Sequence, residues 1–127
     1  MITEDYVSFE TAKLLKEKGF DEVCCKYALN ERIYNNGDFV ICHEDDVEVG
    51  IPTLQMAMKW LREEHGLHCH SDYDIVLGWY CQITSLTETV EYDYEEMKHY
   101  HPDKDNGFSS LEEACEAAIK YCLENLI

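Results

Sequence analysis

Basic side chains are what this sequence has least of. Lysine and arginine together number 10 in 127 residues, against 27 aspartates and glutamates, for a formal net charge of −17. Binding nucleic acid through its phosphates needs a clustered basic face. The densest group, Lys13, Lys16 and Lys18, falls on a predicted helix with Glu17 interleaved, so direct nucleic-acid binding is not expected. Long apolar runs are missing too, which argues against a membrane-spanning helix. The opening Met1-Ile2-Thr3-Glu4-Asp5 is acidic and has no apolar core behind it, so a secretory signal is not expected. There is no CxxC pair, no HExxH, no nucleophile elbow, no phosphate-cradling glycine-rich loop and no dinucleotide fingerprint. The seven cysteines are odd in number, and the neighbours Cys24 and Cys25 bridge only with strain. Reduced thiols in a cytoplasmic protein are the expectation.

What is abundant is acid, and it is concentrated. Between Ile33 and Met97 fourteen carboxylates face only Lys59 and Arg62, while both flanks are close to balance. A surface of one sign draws cationic partners and repels polyanions over roughly a Debye length, about 8 Å at physiological salt. The 46% apolar fraction, two Trp, nine Tyr and four Phe argue for order despite the charge, and the length suits one domain over residues 1–127.

Local periodicity predicts three helices. Ser8 can cap the first, with Phe9, Ala12 and Leu15 as its stripe, Gly19 at its end and Phe20 packing back. The second begins at Pro52, carries Leu54, Ala57, Met58 and Leu61, and stops at Gly66. The third follows a Ser109-x-x-Glu112 capping box. Cys115, Ala118, Ile119 and Cys122 lie on its buried side, with Glu116, Lys120 and Glu124 opposite.

Period-two alternation predicts strands over Glu22 to Leu29, after an Asn35-Asn36-Gly37 turn, after Gly66, over Tyr73 to Ile83 as one central strand, and over Thr87 to Tyr94. Glu44 to Glu48 reads as an acidic loop leading into Pro52, and Glu95 to Phe108 as a long loop. The expected class is α+β: a two-layer sandwich in which a mainly antiparallel sheet of three to five strands packs on about three helices.

Candidate chemistry is sparse. In His65-x-x-His68-Cys69-His70, an extended segment puts His68 and His70 on one face, where two imidazoles can begin a metal site, as His99 and His101 could. The alternative is that Leu67 and Cys69 point inward and the histidines line a solvent face. Asp103-Lys104-Asp105-Asn106-Gly107 resembles the start of an EF-hand loop, but the glycine comes one residue early and Ala114 stands where the bidentate Glu belongs. Cys24, Cys42 and Cys81 allow Cys–His pairings on paper, with buried structural thiols as the simpler reading. Tyr80 together with Glu91-Tyr92-Asp93-Tyr94-Glu95-Glu96 forms the best candidate recognition surface, since tyrosines among carboxylates offer contact area and charge steering. Acids placed to protect a sheet edge would look the same.

At Pro52 to Leu67 and Ser110 to Lys120, and less closely from Phe9 to Phe20, the chain resembles small uncharacterised proteins of gut bacteria and their phages and prophages. The resemblance implies a cytoplasmic protein of mobile-element origin and carries over no activity, cofactor or catalytic residue. The leading expectation is a non-enzymatic module whose acidic side engages a basic protein partner. A DNA mimic that inhibits a nucleic-acid-binding protein, and a metal-binding protein or enzyme centred on His68 and His70, are the alternatives. No cofactor is expected.

Overall fold

The computed structural model describes residues 2, 4–22, 24–29, 32–40, 48–93 and 107–127. In chain order the elements are α1 (Phe9–Glu17), β1 (Cys24–Leu29), β2 (Arg32–Val40), β3 (Glu48–Ile51), α2 (Leu54–His65), β4 (Leu67–Asp74), β5 (Gly78–Ser85), β6 (Glu91–Tyr92) and α3 (Leu111–Tyr121), which runs on as a π-helical turn, Cys122–Leu126. This is an α+β protein whose described strands pair antiparallel. They form two three-stranded sheets, ordered β2-β1-β3 and β4-β5-β6. Helix α1 lies against β3, α2 against β4, and α3 covers both β4 and β5. No helix among the described residues is long and apolar enough to cross a membrane.

The helix ends follow from local chemistry. Ser8 Oγ accepts from Thr11 N at the start of α1, and Thr53 Oγ1 accepts from Met56 N at the start of α2. Pro52 therefore lies outside α2 rather than in its first turn, and its carbonyl accepts from Val7 N. Gly66 ends α2 in the left-handed region at φ 65°, and Leu67 turns straight into the core. At α3 the cap is one residue later than the sequence suggests. Ser110 Oγ accepts from Glu113 N, while Glu113 reaches back to the amide and hydroxyl of Ser109, because the longer Glu113 arm spans the turn that Ser109 opens.

Four expectations about strands and turns need correction. Asn35-Asn36-Gly37 does not reverse the chain: Leu29 pairs with Arg32, so the hairpin closes earlier, and the irregular register between Lys26↔Asn35 and Cys24↔Val40 absorbs the glycine in a bulge. Glu48, read as loop, begins β3, whose Val49 and Ile51 are buried beside β1. The segment from Tyr73 to Ile83 is two strands. Asp74 Oδ1 accepts from Val76 N at 2.8 Å and Leu77 N at 2.9 Å, Gly78 takes φ 85°, and the chain folds back so that Tyr73 pairs with Trp79. An aspartate that captures backbone amides two and three residues on makes a turn that alternation alone cannot reveal. The expected strand from Thr87 shrinks to Glu91–Tyr92, since Ser85 Oγ accepts from Glu88 N and Ser85 N donates to the Val90 carbonyl, closing a turn.

Leu15, Ile51, Leu61, Ile83, Ile119 and Leu123 are fully buried where α1, α2 and α3 meet the sheets. Each such side chain contributes roughly 1.5–3 kcal/mol through its removal from water. Glu116, expected on the solvent side of α3, instead turns toward α1. Its Oε1 accepts from the Thr11 hydroxyl at 2.6 Å and from Ser8 N at 3.0 Å, while its buried Oε2 has no hydrogen-bond partner among the described residues. Lys120 on the same side pairs with Glu10 at 3.3 Å. Removing the carboxylate takes the acceptor from the buried Thr11 hydroxyl, which keeps only its bond from Ser8 Oγ at 3.1 Å among the described contacts, and from the Ser8 amide. Glu116→Ala is therefore expected to cost about 1–3 kcal/mol, read as a lowered urea midpoint. An unchanged midpoint would mean that water replaces the carboxylate without loss.

Candidate interaction surface

The register of β4-β5-β6 decides which side chains share a face. Leu67 and Cys69 on β4 and Cys81, Ile83 and Ser85 on β5 are buried beneath α3, so the intervening residues point away from the core. Three cross-strand rows result: His68, Thr84 and Glu91; His70 and Gln82; Asp72 and Tyr80. This outer face is polar and partly exposed. His70 Nε2 lies 4.0 Å from Asp72 Oδ2, with both side chains more than half exposed, a separation at which an exposed pair contributes little.

His68 and His70 do share that face, with Leu67 and Cys69 turned inward. Thr84 and Gln82 are the residues opposite them. Among the described residues no group of three or more His, Cys, Asp or Glu is placed to hold a metal ion. His65, the other member of the sequence motif, sits at the end of α2 with its ring edge-on to Trp60 at 4.7 Å. His99 and His101 lie outside the described residues, as do Cys42 and Asp103 to Asn106.

The recognition surface read from the sequence is divided by the pleat. Tyr80 and Glu91 stand on the outer face, but Tyr92 pairs with Ile83 and turns inward, its ring 5.9 Å from that of Tyr121. Tyr92 therefore closes the core beside α3 instead of standing next to Tyr80. A one-residue step along a strand changes the face, and the two tyrosines sit on different strands whose register the sequence does not give. Asp93 follows at the exposed end of β6, and Tyr94, Glu95 and Glu96 lie outside the described residues.

Five of the cysteines are core groups. Cys24, Cys69, Cys81, Cys115 and Cys122 are thiols outside any disulfide, and all five are buried. Four of them line the contact between α3 and β4-β5: Cys69 and Cys122 lie 3.9 Å apart through their sulfurs, and Cys115 donates to Ser71 Oγ at 3.5 Å. The hydrogen bond to Cys122 and burial hold Cys69 well above the ordinary thiol range, and burial pushes Cys81 up to about 12. Protonated thiols are poor nucleophiles. A cleft of about 350 Å³ between the starts of α2 and α3 is lined by Leu54, Met58, Leu111, Glu112 and Cys115. There burial raises Cys115, with the Glu112 charge acting in the same direction.

Missing from the sequence reading was the hairpin end, where Tyr73, Ile75, Val76 and Leu77 are exposed. Its only sequence signal was Asp74 placed four residues before Gly78. No protein family, curated protein or solved structure matches the chain.

Proposed function

We propose that this chain is a non-enzymatic interaction module whose β4-β5-β6 sheet presents an acidic surface to a basic protein partner. The supporting observation is the composition of that sheet and its turns. From Leu67 to Asp93 the chain carries Asp72, Asp74, Glu88, Glu91 and Asp93 and not one lysine or arginine. Helices α1 and α3, which cover the core, hold lysines in ion-pairing or capping positions, including Lys120 with Glu10 and Lys18 with the Ile127 carbonyl. The sheet and its turns thus carry negative charge with no lysine or arginine of their own to offset it, a field that accelerates encounter with cations and fixes their orientation. A chain of mobile-element origin would find such a partner among host proteins.

Polylysine is the direct probe. At about 0.1 M salt, where the Debye length is about 10 Å, it is expected to bind, and binding is expected to weaken steadily as salt rises. Replacing three exposed acids together, Asp72→Asn, Glu88→Gln and Glu91→Gln, is expected to weaken it roughly three- to tenfold by fluorescence anisotropy. Binding that ignores salt, or that the triple variant retains in full, would sink the reading.

A further inference from the structure

We infer that the β4–β5 hairpin tip is the apolar anchor of this acidic surface, and that it docks into a basic, amphipathic helix of a partner protein. The inference rests on the interaction reading above and gives it a contact point. Ile75 is 90% exposed, Val76 86%, Tyr73 56% and Leu77 47%, so four consecutive-neighbourhood apolar side chains share one protruding turn. Scattered exposed apolar residues are ordinary, but a contiguous group at the end of a hairpin marks a contact surface.

The tip is rigid for its size. Asp74 holds the amides of Val76 and Leu77, and those two amides keep its carboxyl below the ordinary carboxylate range. Tyr73 and Trp79 meet edge-to-face at 5.1 Å across the neck, and Gly107 N donates to the Leu77 carbonyl at 2.7 Å from the neighbouring segment. Docking such a turn requires little ordering, which leaves more of the buried area as affinity.

Charge selects the occupant. Asp72 and Asp74 flank the apolar group, and the nearest lysine or arginine in the sequence, on either side of the sheet, is Arg62 or Lys98. An anionic bilayer would be repelled by Asp72 and Asp74, and residues 67–93 supply no lysine or arginine to bind its headgroups. A second copy would bring another net charge of −17 to the same place. A helix with an apolar stripe bordered by lysines or arginines satisfies both parts: its stripe covers Ile75, Val76 and Leu77 while its cations meet Asp72 and Asp74.

The experiment compares a lysine–leucine amphipathic helical peptide with polylysine, on the wild type and on the variant carrying Ile75→Ser, Val76→Ser and Leu77→Ser. These positions are exposed, and the variant is first checked for native thermal unfolding. The amphipathic peptide is expected to bind wild type about tenfold more tightly than the variant, consistent with lost apolar burial, and to shift the methyl resonances of Ile75, Val76 and Leu77. Polylysine is expected to bind both proteins alike. Equal affinity of the amphipathic peptide for the two proteins, or unshifted methyls, would overturn the anchor and leave the acidic surface intact. Failure of polylysine to bind wild type would instead remove the acidic surface. Methyl shifts produced by phosphatidylcholine vesicles, or by raising the protein's own concentration, in place of the peptide would overturn the anchor in favour of a lipid or a second copy. Should the variant not fold, the wild-type methyl shifts decide alone.

Discussion

Gly107→Ala is expected to destabilise the protein by about 3–5 kcal/mol. A Cβ on residue 107 would lie 2.0 Å from the Leu77 carbonyl oxygen and 2.7 Å from that of Trp79. Both obstacles are backbone, so no side chain can swing aside, and the strand edge itself must separate. Two hydrogen bonds go with it: Gly107 N to Leu77 O at 2.7 Å and Phe108 N to Trp79 O at 2.8 Å. Each is worth about 1 kcal/mol, and repacking around the buried Phe108 adds about 1–3 kcal/mol. Urea unfolding measures the sum. Gly19→Ala is the comparator, since that glycine has φ 99° but nothing within 4 Å of a new Cβ. Its cost is conformational strain alone, about 1–2 kcal/mol. If both variants lose the same amount, the close pairing of Gly107 with β5 is not what residue 107 is needed for.

The second large effect is alkaline. Cys81 ionises near 9 when unfolded and at about 12 when buried, because burial penalises the thiolate and Cys69 and Cys115 add to the cost. A folded-state value above the unfolded one means that the native state holds the proton more tightly. The stability associated with that proton is fully present below pH 9 and is lost as pH rises toward about 12. Three units correspond to about 4 kcal/mol across the window, a large share of a small domain's stability. Cys69 shifts in the same direction through its bond to Cys122 and its burial, and steepens the fall. Cys81→Ala is expected to be less stable than wild type at neutral pH, because a small cavity replaces the sulfur, yet to lose less between pH 9 and 12. All other groups are common to both proteins and cancel in the comparison. Parallel urea midpoints across that window would show that Cys81 is not the source.

The helices could be read from the sequence because caps and stripes are local. Ser8, Gly19 and Gly66 do in the fold what their chemistry requires. The cap of α3 slipped by one position because Ser109 and Ser110 are chemically equivalent neighbours. The α+β class and the antiparallel pairing followed from the order of helix and strand periods. The central hairpin did not, since Tyr73 to Ile83 alternates without interruption and only the capture of two amides by Asp74 reveals the reversal. Face assignments failed for the same reason that register did. Tyr92 and Tyr80 alternate properly within their own strands, but which face each joins depends on Ile83↔Tyr92 and Asp72↔Tyr80, pairings between residues distant in sequence. Glu116 was misplaced because the helix α1 that it caps lies more than a hundred residues away.

That last contact has a consequence for how the chain is made. Thr11 and Ser8 leave the ribosome 105 and 108 residues before the carboxylate that completes their helix end. At synthesis rates of about 5–20 residues per second, α1 waits roughly 5–20 s without that carboxylate. During that interval β1, β2 and β3 can pair, because their partners are close in sequence, and α1 rests chiefly on β3. The last stage of assembly is then the arrival of α3, which closes the thiol-lined layer over β4 and β5 and places Glu116 at the end of the first helix. Protease sensitivity of stalled nascent chains should accordingly persist in α1 until Glu116 has emerged.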